Sequence, residues 1–280
     1  MTAFDYLENH HWYVFEEKDN PHQDIGNSAL AYQDSFLRYI AYLNESATDK
    51  NFGILHFYPL KHEAVLLGAK DTRLPQLLQA NQFLIDSGYA VLLRPHGGLA
   101  VVNDPGIINI SLVTDMQKYP LDIDTAYEQM VRLIQLSLAQ WDITVESYEI
   151  PDSYCPGRYD LVVSGQKIGG IAQRRFKTGV TTAAYISVNG DQIHRGQLLR
   201  DYYVIGQADA SYPKVNPAVM TTVEAVVGEA VSVEAYRGYL LEVFKRFSTV
   251  EKGDFMAAEL EAFYEKSFPK VFQRGLGVQP

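Results

Sequence analysis

A single cysteine and a lysine mark the part of this sequence that is best suited to chemistry. Cys155 is the only cysteine in the chain and precedes a Pro-Gly pair. Lys167 follows a Ser164-Gly165 pair that separates two apolar runs, which predicts a β-hairpin. A thiolate attacks acyl groups, and a nearby cation lowers the pKa of a thiol. The pattern therefore predicts a thiol nucleophile and a lysine that meet in space.

Both residues also have an ordinary structural interpretation. Most free cysteines in cytosolic proteins are small buried hydrophobic residues, and a lysine at a strand end is usually solvated. The Pro-Gly pair instead favours an accessible loop for Cys155. The strand after Lys167 contains the small residues Gly169, Gly170 and Ala172, which let a substrate chain approach the backbone closely. From the residues alone, the structural and the catalytic interpretation both stay open.

The segment Arg94-Pro-His-Gly-Gly is the second stretch with chemical potential. Backbone N–H groups at Gly97 and Gly98 can face an acyl carbonyl or a phosphate. His96 can serve as a base for Cys155, although the sequence gives no distance between them. A cysteine–histidine peptidase is conceivable, but no local signature of one is present. Many hairpin turns have similar glycines, so a plain turn is the alternative interpretation.

Three basic residues follow the small-residue strand. Arg174, Arg175 and Lys177, with Arg195 further along, can form a docking surface for an acidic partner or a phosphate. A solvated strand end explains the same cluster equally well. His10 and His11 lie in an N-terminal stretch without clear periodicity and are predicted to be solvated.

Composition excludes several classes of function. The formal net charge is −10, which argues against general binding of nucleic acid or anionic membranes. No stretch approaches the roughly 18 apolar residues of a membrane-spanning helix, and the N-terminus lacks the pattern of a signal peptide. A lone cysteine fits a reducing compartment, and no cysteine–histidine cluster suggests a metal site. We therefore expect a cytoplasmic protein without a bound metal.

Helices and strands of mixed order must position these residues. Helical periodicity predicts helices over residues 27–43, 74–86, 124–141, 193–203, 232–247 and 256–268. Apolar runs predict strands at residues 52–58, 63–67, 89–94, 99–102, 107–113, 144–148, 159–163, 166–172 and 180–188. Some strands come in hairpins and others are separated by helices, which predicts an α/β (α+β) fold with a mixed sheet flanked by helices. No linker or repeat appears, so residues 1–280 are expected to form one domain, with a helical C-terminal end at about 222–280.

Two segments resemble the lipoate-protein ligase A / octanoyltransferase family. Residues 94–111, RPHGGLAVVNDPGIINIS, resemble the family's glycine-rich loop and the motif that follows it. Residues 159–175, YDLVVSGQKIGGIAQRR, resemble its hairpin, whose signature lysine matches Lys167. The resemblance covers roughly residues 30–250. It implies the catalytic-domain fold of the biotin and lipoate-protein ligases, and it adds Asn103 and Asp104 to the expected substrate-binding residues Arg94, His96, Gly97, Gly98, Gly169, Gly170 and Ala172.

Departures from the family pattern indicate which member type the chain resembles. His96-Gly97-Gly98-Leu99 stands where ligases have Ser-Gly-Gly-Gly, and Asn103 replaces the usual histidine. Both departures weaken the interpretation of the chain as an ATP-dependent ligase. Cys155 stands where the cysteine-using octanoyltransferases carry their acyl-thioester nucleophile. The resemblance thus implies octanoyl transfer from glycine cleavage H protein to E2 lipoyl domains through Cys155 and Lys167, without a cofactor. Transfer from acyl carrier protein is the second alternative, and ATP-dependent lipoate ligation is the third.

Overall fold

The computed structural model describes residues 8, 10–23, 26–45, 47, 50–117 and 120–279. Helices α1 to α7 span Ser28–Glu45, Leu77–Asp86, Ile123–Leu138, Gln192–Ile205, Val223–Val227, Val233–Lys245 and Ala258–Leu276. Strands β1 to β11 span His11–Glu16, Phe52–Phe57, Ala64–Leu67, Ala90–Leu93, Val101–Asn103, Ile107–Asp115, Glu146–Ser147, Leu161–Val163, Gln166–Phe176, Gly179–Ser187 and Thr249–Lys252. The predicted helices and strands are present, with ends that differ by a few residues.

The larger sheet is mixed, as predicted. Its eight strands lie in the order β11-β1-β2-β6-β10-β9-β8-β7. Strand β1 runs parallel to β11 and β2, whereas the remaining neighbours are antiparallel. The short strand β7 forms one edge, in agreement with the edge strand predicted for residues 144–148.

Helices cover both faces of the larger sheet, and each face has its own buried cluster. Residues of α1 and α7 pack with Phe15 in one cluster, and residues of α3 and α6 pack with Trp12 and Val14 in the other. The alternation follows from the strand period of two, which sends successive side chains to opposite faces. Burial of each large apolar side chain stabilises the fold by about 1.5–3 kcal/mol. The sheet is therefore a rigid base for the loops at its ends.

A second, three-stranded sheet carries the glycine-rich segment. Its order is β4-β3-β5, and β3 runs parallel to β4 and antiparallel to β5. We call residues 94–100, which join β4 to β5, the donor loop. Residues 150–160, which precede β8 of the larger sheet, are called the thiol loop. The two chemically interesting stretches thus belong to different sheets.

Two strands were missing from the prediction, and the solvated state predicted for two histidines is wrong. Strand β1 lies in the stretch that shows no clear period, because both of its faces are covered by helices. Its neighbour β11 is a short, mostly exposed strand within the C-terminal region predicted as helical. His10 is buried and His11 is only partly exposed, so neither is a solvated loop residue. Residues 4–7 and 9 of that stretch lie outside the described residues.

In the part of the chain that the structure describes, every helix is too short or too polar to cross a bilayer.

Candidate active site

The sulfur of Cys155 receives two hydrogen bonds from the donor loop. The backbone N–H of Leu99 donates to Sγ at 3.1 Å, and Nη2 of Arg94 donates to it at 3.2 Å. The same Nη2 also donates to the carbonyl oxygen of Leu99 at 2.6 Å. Two N–H donors therefore meet at the sulfur, one from the backbone and one from a guanidinium group. Cys155 is partly exposed, as expected for an accessible nucleophile.

Close approach of the two loops depends on unusual backbone conformations. Gly98 has φ +95°, and a Cβ there would lie 2.8 Å from Sγ of Cys155 and 2.6 Å from Nη2 of Arg94. Cys155 itself has φ 47°, in the left-handed region that few residues other than glycine adopt. Gly98 therefore supplies both the conformation and the space that the sulfur occupies.

Lys167 lies beneath the thiol loop rather than beside the sulfur. Its side chain is 1% exposed, and Nζ pairs with Oδ1 of Asp160 at 2.8 Å. Nζ also donates to the backbone oxygen of Cys155 at 2.8 Å, to that of Tyr154 at 3.0 Å and to Oγ of Ser153 at 3.1 Å. The solvated-lysine interpretation is therefore wrong. The predicted meeting of Cys155 and Lys167 occurs through the cysteine carbonyl, whereas the cation at the sulfur is Arg94.

The hairpin between β8 and β9 explains how the lysine reaches this position. Ser164 and Gly165 both have positive φ, at 49° and 79°, as a two-residue type I′ turn requires. Val163 pairs with Gln166, and Val162 pairs with Lys167. Asp160 lies just before β8, so the turn brings its carboxylate within reach of the lysine. The hairpin is thus confirmed, with its reversal where the sequence predicts it.

A cavity of about 360 Å³ opens beside the cysteine. Its size is within the range of small-molecule sites. Arg94, Gly97, Gly98, Gly170 and Ala172 line it as predicted, and they are joined by Ile123, Tyr127, Ile171 and Tyr185. The absence of a side chain at Gly170 leaves room for the ring of Tyr185, since a Cβ at Gly170 would lie 3.0 Å from that ring. A larger cavity of about 490 Å³ near residues 59–64 contains none of the predicted site residues, so the chemistry favours the smaller one.

His96 is not placed as a base for Cys155. Its side chain lies in a separate small cavity of about 20 Å³ with Tyr58 and Asn109, and its Nε2 has no hydrogen-bond partner among the described residues. Burial first, and then the charges of Arg94 and Arg174, lower the pKa of His96 to about 3. The imidazole is therefore neutral near pH 7. It shares a wall with the cysteine cavity through Arg94 but does not line that cavity.

Three predicted substrate-binding residues have structural contacts instead. Asn103 is buried and accepts a hydrogen bond from Nδ2 of Asn109 at 2.6 Å. Asp104 pairs with Arg195 through both carboxylate oxygens. Gly169 lies against the neighbouring strand, where a Cβ would lie 2.4 Å from the backbone oxygen of Tyr185. None of the three lines the cysteine cavity, because their polar groups or backbone are used within the protein.

The predicted basic patch is mostly occupied by internal contacts. Arg174 forms an ion pair with Asp34. Arg175 donates to the backbone oxygens of Leu121 and Asp122 at 2.8 and 2.7 Å and so ties β9 to the start of α3. Lys177 is exposed at the β9–β10 turn and lies over the ring of Phe176. The docking hypothesis is therefore left with one exposed cation instead of three.

A known family model matches most of the chain. The family model described as the lipoyl protein ligase A/B catalytic domain matches residues 27–245.

The chain belongs to the lipoyl protein ligase A/B family.

Relatives within this ligase A/B family share about a third of their residues with the chain. Octanoyl-[GcvH]:protein N-octanoyltransferase of Bacillus velezensis is 35% identical over 219 residues, which cover 76% of each chain. The Geobacillus kaustophilus protein of the same name is 37% identical over 222 residues, 76% of this chain and 77% of the relative. Lipoyl-[GcvH]:protein N-lipoyltransferase of Listeria monocytogenes is 36% identical over 218 residues, with 76% and 77% covered.

Solved structures confirm the predicted ligase-type fold. Lipoate-protein ligase A bound with ATP superimposes with a TM-score of 0.68 at 20% identity, over 94% of this chain and 95% of the other. A bi-partite lipoate protein ligase from Thermoplasma acidophilum gives a TM-score of 0.65 at 18% identity, over 97% and 98%. At these identities, the likeness concerns the fold of the ligase A/B domain.

Sequence reasoning missed several groups that shape this ligase A/B site. The N–H of Leu99 carries no side-chain signal, so only the folded donor loop reveals it. The ion pair of Asp160 with Lys167 could have been predicted, because Asp160 lies just before one strand of the hairpin and Lys167 lies at the start of the other. Ile123, Tyr127 and Tyr185 also line the cavity, and they lie outside both motifs that the sequence singled out.

Proposed function

We infer that this protein is an acyltransferase that moves an octanoyl group from glycine cleavage H protein to other proteins during protein lipoylation. The relatives that carry this activity in their names align over about three quarters of the chain. The observation that carries the proposal is the thiol of Cys155, held by Arg94 and Leu99 N–H at the mouth of a cavity of about 360 Å³. An ATP-dependent ligase has no need of this arrangement.

The reaction proceeds in two balanced steps. The thiolate of Cys155 attacks the octanoyl carbonyl on the donor lysine, so a C–S bond forms and the C–N bond breaks. The donor amine leaves with the proton that the thiol gave up. The amine of the acceptor lysine then attacks the thioester, so a C–N bond forms and the C–S bond breaks, and the proton that the amine loses returns to the sulfur. One amide replaces another, so the exchange needs neither ATP nor a cofactor, and the thioester divides a difficult transfer into two steps.

Residues around the cavity have distinct proposed roles. Arg94 and the N–H of Leu99 stabilise the thiolate before attack. Gly97, Gly98, Gly170 and Ala172 leave space for the acyl chain. Lys167 fixes the backbone of Cys155 and is a positioning residue rather than the cation at the sulfur. His96 is withdrawn as a base, because its uncharged ring does not contact Cys155.

The acceptors in this proposal are the lipoyl domains of 2-oxoacid dehydrogenase E2 subunits. Both carriers present an acylated or free lysine on a protein surface, so the same cavity can serve both half-reactions in turn. Lys177 is the remaining candidate for contact with an acidic carrier. The lone cysteine used as a thiol nucleophile supports a cytoplasmic location, where thiols stay reduced.

Intact mass spectrometry tests the function directly. The protein is incubated with octanoylated H protein without ATP, beside a parallel reaction with octanoylated acyl carrier protein, and Cys155→Ala serves as the control. We expect a hydroxylamine-labile octanoyl adduct from H protein that is absent in the variant. An adduct from acyl carrier protein alone would assign the other donor. Activity only with ATP and free lipoate, undiminished in the variant, would identify a ligase with a structural cysteine.

A further inference from the structure

Asp71 is a buried carboxylate that the proposed mechanism does not use. It opens the short 3₁₀ turn Asp71–Arg73 after β3 and has no exposed surface. Its Oδ2 accepts the N–H of Gly68 at 2.7 Å, and its Oδ1 accepts the hydroxyl of Tyr203 at 3.0 Å. No ion pair among the described residues includes it. A buried carboxylate held only by neutral donors is costly, which raises the question of what it contributes.

Both hydrogen-bond partners of Asp71 contact the donor loop. Gly68 packs directly on the loop, since a Cβ there would lie 1.9 Å from the backbone oxygen of Gly98. The hydroxyl of Tyr203 accepts the N–H of Ala100 at 3.3 Å. The two contacts lie on either side of Leu99, whose N–H donates to Sγ of Cys155. Asp71 is thus two contacts away from the donor loop by either route, and the N–H of Leu99 makes the third contact, to the sulfur.

We propose that Asp71 is a positioning residue for the Cys155 thiol, which through Gly68 and Tyr203 holds the Gly98–Ala100 segment so that the N–H of Leu99 faces the sulfur. The inference rests on the proposed role of Cys155 as the nucleophile. The carboxylate accepts at both ends, so Tyr203 must donate to it and is left with its lone pairs for Ala100. An amide in place of the carboxylate cannot accept from both partners.

The electrostatic surroundings make this arrangement sensitive to acid. Burial raises the pKa of Asp71 to about 6, against the lowering effects of its hydrogen bonds and of nearby cations. The charged or titratable groups that act on it or respond to it are Arg94, Lys70, Tyr202, Tyr203 and Tyr212. The three tyrosines have raised pKa values and stay neutral near pH 7. Asp71 is therefore the group expected to titrate in this cluster below pH 7, and its protonation removes one acceptor.

A purely local role for Asp71 is the alternative. A carboxylate that accepts an N–H three residues away also closes a turn, and such a contact stabilises the fold without affecting Cys155. The two roles differ in one readout, which is the reactivity of the thiol as a function of pH. Because Cys155 is the only cysteine, alkylation reports on it alone.

The experiment measures the rate of iodoacetamide alkylation from about pH 5 to about pH 9 by intact mass. The variants are Asp71→Asn and Tyr203→Phe. Tyr236→Phe is the matched control, since Tyr236 is equally buried and its hydroxyl bonds Ser137 at 2.9 Å in the other core cluster. Thermal melting verifies that each variant is folded. No acyl donor is involved, so the result does not depend on whether octanoyl transfer occurs.

We expect both test variants to react about tenfold more slowly at pH 7, because a hydrogen bond to the thiolate is weakened. The wild-type profile should also contain a second inflection near pH 6 that Asp71→Asn lacks. The control should stay within about twofold of the wild type. Profiles of Asp71→Asn and Tyr203→Phe that coincide with those of the wild type would overturn the proposal. Tyr203→Phe keeps the test decisive if Asp71→Asn does not fold, because it removes only a hydroxyl.

Discussion

The thiol loop and the donor loop meet at one sulfur atom, yet they are held in place by different chemistry. Beneath the thiol loop, Lys167 and Asp160 form an ion pair in which both side chains are almost fully buried. Behind the donor loop, Asp71 is equally buried but is held by an amide and a hydroxyl. One loop is thus fixed by two opposite charges and the other by a single acid.

This difference determines how each loop responds to change. A buried ion pair fails when one partner is removed, because an uncompensated charge is left behind. A lone buried acid can neutralise itself by taking up a proton. We therefore expect the thiol loop to be damaged most by removal of one charged partner, and the donor loop to respond to protonation of Asp71 near pH 6.

Removal of Lys167 is expected to have the largest effect. Lys167→Met leaves Asp160 without its cation and removes the ammonium donor shared by Oγ of Ser153 and the backbone oxygens of Tyr154 and Cys155. The free energy of unfolding should fall by about 3 to 5 kcal/mol, measured by urea denaturation. The double variant Lys167→Met/Asp160→Asn should recover part of this loss. Lys18→Met is the control, because Lys18 pairs with Glu16 at 2.9 Å but is 62% exposed. Equal losses in Lys167→Met and Lys18→Met would contradict the distinction.

The pH dependence of the free energy of unfolding should show the titration of Asp71. Its pKa of about 6 in the folded protein exceeds the ordinary value of 3.8, so the folded chain binds this proton more tightly than the unfolded chain. The stability that Asp71 contributes is therefore present below about pH 4 and is lost as the pH rises through 6. Relative to Asp71→Asn, the wild type should lose up to about 3 kcal/mol between about pH 4 and pH 7. A difference that does not vary with pH in urea unfolding would show that Asp71 does not titrate in this range.

Contact between the two loops can be broken with a single methyl group. In Gly98→Ala, the added Cβ overlaps the positions of Sγ and of Nη2 of Arg94, so we expect acyl-adduct formation to slow by about tenfold to a hundredfold. Gly88→Ala is the matched control. Gly88 has nearly the same φ, +92°, but nothing lies within 4 Å of its added Cβ. Similar slowing in both variants would assign the effect to backbone strain alone.

The smallest effect is expected at the surface of the thiol loop. Arg158 pairs with Asp124 at 3.2 Å, and the two side chains are 75% and 51% exposed. Water screens such a pair, so Arg158→Gln should change the free energy of unfolding by less than about 1 kcal/mol. Urea denaturation of Arg158→Gln and of the wild type measures this difference in the free energy of unfolding. A loss comparable with that of Lys167→Met would mean that exposure does not separate the two pairs.

Local patterns in the sequence were sufficient for much of the fold. The Ser164-Gly165 turn and the edge strand near residue 146 follow from short-range chemistry, and the structure contains both. Strand β1 was not predicted, because helices cover both of its faces and this removes the alternation of apolar and polar residues that identifies a strand. Strand β11 was not predicted either, because it is short and mostly exposed and is defined by its pairing with β1.

The sequence by itself identified Cys155 as the nucleophile candidate, Lys167 as a residue that meets it in space, and Gly97, Gly98 and Gly170 as residues that leave room beside it, since these depend on residue type and on local turns. Only the tertiary structure decided which cation bonds the sulfur. The choice of Arg94 over Lys167 results from the docking of a loop of one sheet on a loop of another. The link from Asp71 through Tyr203 to Ala100 likewise joins three separate segments. Contacts of this kind leave no periodicity in the chain, because each partner satisfies its own local rules before the loops meet.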